Sequence, residues 1–136
     1  MSAEILVAPD PIAVAVQYLA AEFAARELPV TVAGRIPNPR PARLIRVAVT
    51  GGPGRVSLVV ASPILTFDCW AESDPAASDL ASLVAALVLA MPDRYTGPAV
   101  LYSATELSFP AEQPDPDTGS PRYVWSAQVA MRAQAI

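Results

Sequence analysis

Histidine and lysine are both missing from this chain, and cysteine occurs once, at Cys69. Without histidine, acid–base chemistry near neutral pH falls to carboxylates or tyrosine. A single thiol excludes an internal disulfide, and a zinc site of the usual Cys/His type cannot be assembled from one copy. All nine basic residues are arginine, and 13 carboxylates outnumber them for a formal net charge of −4. A chain of that balance is poorly suited to gripping phosphate backbones, although a local arginine patch can still form in the fold. Long apolar runs are also missing: none approaches the ~18–20 residues of a membrane span. Met1-Ser2-Ala3-Glu4 carries no basic leader. The expectation is a soluble protein made in a reducing cytoplasm, without membrane association.

What is present is apolar and proline-rich: 53% hydrophobic residues with 15 prolines in 136 positions. That combination describes one packed domain over 1–136 with stiff connections, and not a disordered chain. Its centre is the stretch from Ile64 to Met91. Leu65, Phe67 and Cys69 alternate with Thr66, Asp68 and Trp70, which predicts a strand, with Cys69 as a small buried apolar residue. Ser73-Asp74-Pro75 then supplies a cap and a first-turn proline for a helix. Leu80, Leu83, Val84, Leu87 and Met91 line one side of it. Ala77, Ala81, Ala85, Ala86 and Leu89 leave the other side apolar too, so this helix should be covered by its own sheet and by a neighbouring subunit.

Asp10-Pro11 repeats the same start signal, and Ile12, Val16, Leu19 and Phe23 mark a helix to about Glu27. Val30–Val32 is a short strand ending at Gly34. Segment 35–41, Arg-Ile-Pro-Asn-Pro-Arg-Pro, cannot be helical; it predicts an extended, exposed arm or a plain surface connection. Arg43–Thr50 is a strand with Ile45, Val47 and Val49 on one face. Gly51-Gly52-Pro53-Gly54 lacks the lysine and the following helix of a phosphate-binding loop, so it predicts a hairpin into a strand over Arg55–Val60. Ser62-Pro63 predicts a bulge or edge kink. Ala99–Ser108 reads as a strand carrying Val100, Tyr102 and Leu107. In Tyr123–Met131, Tyr123, Trp125, Ala127, Val129 and Met131 face the core. Between them, 110–121 is a long acidic hairpin loop with four prolines, a candidate partner contact. Asp115, Asp117 and Gly119 have a passing likeness to half a calcium loop, but the distal glutamate is missing. This order of elements predicts an α+β fold, a mostly antiparallel sheet of about four to five strands with two principal helices packed on it.

Chemistry is sparse. Most carboxylates sit at helix starts (Asp10, Asp74) or in loops (Asp93, Asp115, Asp117). Asp68, inside a strand, is the exception; it is either a buried charge with a purpose or part of a wetter strand face. No catalytic residue, cofactor site or metal site is predicted, and the expectation is not an enzyme.

Several motifs, in order, carry a resemblance. They are Arg35-Ile36-Pro37 with Pro39-Arg40-Pro41, Val47-Ala48-Val49-Thr50-Gly51-Gly52, Phe67-Asp68-Cys69-Trp70-Ala71, the Ala76-Ala77 to Leu80-Ala81 helix opening, and Pro114-Asp115-Pro116-Asp117-Thr118-Gly119 with Pro121-Arg122-Tyr123. Together they resemble the tail terminator (tail-to-head joining, tail completion) proteins of long-tailed bacteriophages. The resemblance implies a virion protein of the neck, assembled in the host cytoplasm, that forms a homohexameric ring. The ring docks on the major tail tube protein, stops its polymerisation and meets a head-completion or connector protein. Genomic DNA passes through its lumen without specific binding. The inferred contact residues are Arg35, Arg40 and Arg43 beside the arm, and Glu112, Asp115, Asp117 and Arg122 beside the loop, as opposite charges for neighbouring rings. Another neck component, or a small α+β ligand-binding domain or enzyme, shares the element order.

Overall fold

The computed structural model describes residues 4–55 and 57–136. Along the chain lie β1 (Leu6–Val7), α1 (Pro11–Ala25), β2 (Thr31–Ala33), β3 (Leu44–Gly51), β4 (Val60–Ala61), β5 (Ile64–Trp70), α2 (Asp74–Leu89), the one-turn α3 (Met91–Arg94), β6 (Leu101–Glu106), β7 (Ala111–Glu112), β8 (Arg122–Arg132) and β9 (Gln134–Ala135). Among the described residues seven strands form one sheet, and β1 pairs with β9 as a separate ribbon. The α+β architecture is as expected, and the sheet is antiparallel except where β2 runs parallel to β3. Strands outnumber the four to five expected because β1, β4, β7 and β9 are two-residue pieces, too short for alternation to reveal.

The sheet is organised on β8. One of its edges carries β5 and β4, the other β6 and β7. Trp125, Ala127, Val129 and Met131 are buried on one face, as alternation requires, and Phe67 lies opposite Trp125. The helices close this face. α2 lies on β5 and β8, α1 lies on β3 and against α2, and Leu19, Phe23, Leu80, Val84 and Val88 complete one continuous core.

Helix starts follow the sequence signals. Asp10 Oδ1 accepts the backbone N–H groups of Ile12 (3.0 Å) and Ala13 (3.3 Å), and Ser73 Oγ accepts that of Ala76 (3.2 Å). α1 stops at Ala25, short of Glu27, whose φ is 57°. Val14 and Tyr18 take the buried places expected of Ile12 and Val16, which are half-buried, because the helix packs toward α2 as well as the sheet. Most of the second, alanine-rich face of α2 is covered by this chain itself: Ala77, Ala81 and Ala85 are buried, leaving Ala86 and Leu89 exposed.

Three expectations need correcting. The glycine-rich turn does not return as a strand at Arg55. Gly51 pairs with Ile64, so the returning arm is β5, and of the expected Arg55–Val60 strand only Val60 is paired, in β4. Ser57 Oγ accepts the N–H groups of Val59 and Val60, a local turn that competes with a ladder; Val56 lies outside the described residues. Gly52 has φ +125°, and a Cβ there would lie 2.9 Å from the Ser62 carbonyl oxygen, so only glycine fits. Of the bulge or edge kink expected at Ser62-Pro63, the bulge is absent against β8, although the strand is interrupted there between β4 and β5. Ile64 faces Gln128 and Ala61 faces Met131, three positions on along both strands, so no residue is inserted. Pro63 withholds a donor while its carbonyl still accepts from Val129 N–H at 3.1 Å. Finally, the strand expected over Ala99–Ser108 is shorter: β6 runs Leu101–Glu106, so Val100 and Leu107 lie outside it, and Leu101 and Ala104 are the members that pack on the core. A bulge lies here: Leu101 faces Met131 but Ser103 faces Ala130, which displaces Tyr102 and shifts the alternation by one; a second register shift falls in β3, between Val49 and Gly51.

Candidate interaction face

Helices cover one face of the sheet; the other is polar and only partly covered. Strand alternation brings Arg46 of β3, Thr66, Asp68 and Trp70 of β5, and Arg122, Val124 and Ser126 of β8 to this second face. Register aligns them in rows: Leu44, Trp70 and Arg122 lie side by side, and Arg46, Asp68 and Val124 form the next row.

At the Trp70 row, three distant parts of the chain converge. The Arg40 guanidinium, from the 35–41 arm, lies over the Trp70 ring, 5.6 Å from its centroid, and the Arg122 guanidinium lies at the same distance. Trp70 Nε1–H donates to Asp115 Oδ2 at 3.0 Å. Trp70 (1% exposed) is thereby covered, and Leu44 beside it (0% exposed) is buried too, although both lie outside the main core. The aromatic face attracts both cations, and its edge donor satisfies the carboxylate.

Loop 110–121 is built to hold Asp115 in place. Asp115 Oδ1 accepts the N–H groups of Asp117 (2.9 Å) and Thr118 (3.3 Å). Asp115 N–H donates to the Ser120 carbonyl at 3.0 Å, and Gly119, at φ +70°, closes the turn with a 2.8 Å bond to the Asp115 carbonyl. Arg122 Nε also braces the loop through the Gln113 carbonyl at 2.8 Å. The Asp117 N–H holds the Asp115 carboxyl below its usual pKa, helped by the Trp70 indole and Thr118 N–H. The loop is thus a folded excursion that includes β7, and the calcium-like spacing of Asp115 to Gly119 serves this turn.

Of the contact residues expected from sequence, Arg40, Asp115 and Arg122 meet around Trp70 of their own chain. Arg43 bonds Glu72 twice, at 3.0 and 2.5 Å, which raises the arginine pKa and lowers that of Glu72. Arg40, Arg43, Asp115 and Arg122 thus each have a partner within their own chain. Arg35, Glu112 and Asp117 are exposed, and among the described residues their side chains have no hydrogen-bond partner. Trp70 and Glu72 escaped the sequence reading. The available signal was a tryptophan at an outward-facing strand position, a large apolar surface that something must cover.

Asp68 sits in the middle of this face with Arg46 at 3.8 Å. Burial raises its pKa, against the pull of Arg122 and Arg46. Beside it, hydroxyls link Thr50 to Thr66 (2.8 Å) and Thr66 to Ser126 (3.0 Å); among the described residues no carboxylate bonds any of them. Cys69 is fully buried, and that burial pushes its thiol pKa up, away from reactivity. Asp68 lines none of three surface cavities. One of about 260 Å³ is bounded by Leu6, Val59 and Val100, one of about 220 Å³ by Asp10, Gln17 and Tyr95, and one of about 170 Å³ by Leu28, Arg43 and Leu83. On the helix side, the nearly buried Glu22 carboxylate accepts from Arg26 (2.5 Å) and Arg94 (2.8 and 3.1 Å), tying α1 to α3. The geometry on both sides serves packing and docking of segments. No protein-family model matches the chain, and no curated protein matches it.

Proposed function

We propose that this chain is a structural virion protein of a long-tailed bacteriophage, a tail terminator. In this reading six copies form a ring at the head-proximal end of the tail tube, where they stop tube polymerisation and join tail to head. The major tail tube protein lies on one side, a head-completion or connector protein on the other, and DNA passes through the lumen unbound. One observation carries the reading: the ordered run of motifs from Arg35-Ile36-Pro37 to Pro121-Arg122-Tyr123, which spans nearly the whole chain. The way the charged groups are used is consistent with it, since the arginines and carboxylates near Trp70 pair with one another or hold loops. Such a protein works through its surfaces and performs no reaction.

The test is to add purified chain to growing tail tubes and follow tube length by negative-stain microscopy, with mass measured by light scattering. Rings of six on tube ends, and arrested growth, are expected. A chain that never binds tubes and leaves their length unchanged overturns the reading.

A further inference from the structure

We propose that copies of this chain dock edge to edge and head to tail, the β2 edge with the following arm meeting the β6–β7 edge of the next copy. The idea rests on the ring reading only for closure of the assembly. Strand order places β2 at one margin of the sheet, and β6 with β7 at the other, each hydrogen-bonded on one side. β6 is only partly protected as an edge, by the register shift at Tyr102. It has no lysine and no proline, and its one charge, Glu106, accepts a 2.8 Å bond from Trp125 Nε1. Tyr102 within it, and Leu107 and Phe109 just past its end, stand 49, 47 and 82% exposed.

Charge identifies the occupant. Residues 35–46 contain four arginines and no carboxylate, whereas 104–119 contain four carboxylates and no base. The fold leaves Arg35 beside β2 and Glu112 in β7, whereas Arg40 and Asp115 meet over Trp70 within one copy. Arg35 on one side, and Glu112 and Asp117 on the other, are exposed and spent on no contact among the described residues. These free charges, Arg35 at one margin and Glu112 with Asp117 at the other, therefore find their complement on a second copy, while like margins repel. A contact between unlike margins repeats around a ring when its rotation closes.

The test uses two charge-reversed proteins, Glu112→Arg/Asp117→Arg and Arg35→Glu. All three sites are exposed, and unchanged circular dichroism verifies folding. Wild type is expected to self-associate at low salt and to dissociate as salt screens the contact. Each variant alone is expected to need about tenfold more protein or more for half-assembly. Mixing the variants restores complementary margins and wild-type assembly. A wild type that stays at 14.2 kDa at every concentration, variants that assemble normally, or a mixture without rescue overturns the proposal. Rings on tubes that ignore the reversals sink this inference but spare the tail-terminator reading. Rescued assemblies that never arrest tube growth do the opposite.

Discussion

Replacing Trp70 tests whether the polar face is held by one aromatic residue. Trp70→Ala removes a side chain that is 1% exposed. Burying so large a group and then truncating it costs ~3–5 kcal/mol in a rigid core. Here the cover is two arginines and a loop, which can settle into the space, so the expected loss is at the lower end, about 3 kcal/mol. For 136 residues that is a drop of about 10 °C in Tm. Trp70→Phe keeps a ring under both guanidiniums and removes only the indole N–H. The half-exposed Asp115 carboxylate then turns to water, so well under half of that loss is expected. Thermal unfolding followed by circular dichroism measures both, and limited proteolysis at 110–121 reports the loop. The Asp115 pKa is depressed on folding, chiefly by the Asp117 N–H. The tether is therefore complete above the ordinary carboxylate range and weakens as pH falls through the folded value. Cleavage of the loop should rise at acid pH in wild type and already be high at neutral pH in Trp70→Ala. A loss below about 1 kcal/mol for Trp70→Ala, or equal losses for Ala and Phe, refutes the idea that ring burial holds this corner.

Further expectations follow from the other polar groups. Asp68 has its folded pKa raised by burial, so its charge opposes folding: stability falls as pH rises from the ordinary aspartate value through the folded one. Asp68→Asn should therefore be neutral or stabilising at pH 7, and denaturation curves at pH 3 and pH 7 check this. Glu22 has the opposite sign, its pKa lowered first by Arg94 and then by Arg26. Its contribution is present above the ordinary glutamate value and lost as pH falls through the folded one. Glu22→Gln should flatten that part of the acid limb in a pH series of Tm. Removing the caps by Asp10→Ala or Ser73→Ala should each cost about 1 kcal/mol in urea unfolding, without changing the slope of the transition. Deleting 111–120 should destabilise the chain as well as alter a contact surface, because β7 and the Trp70 partner Asp115 go with it.

Local signals were legible where one interaction decides the outcome. Asp10-Pro11 and Ser73-Asp74-Pro75 start helices because the capping oxygen and the bonded N–H groups lie within three residues. Alternation in 65–69 and 123–131 marks the buried face because a strand repeats every two residues. Strand ends were less legible: β6 runs only from Leu101 to Glu106, and the register shift at Tyr102 breaks its period of two. The candidate site was legible only as a set of charged residues. Arg40, Asp115 and Arg122 were marked for an outside partner, because nothing local shows that Trp70 lies within reach of all three.

Composition, capping chemistry and periodicity thus determined the α+β class, both principal helices and the strands that carry the core, since each depends on neighbours in the chain. Tertiary structure decided which strand pairs with which, that the turn after Gly51 returns at Ile64, and that arm and loop close over Trp70. These contacts join residues as far apart as Trp70 and Asp115, and their geometry depends on sheet register, which no local stretch encodes.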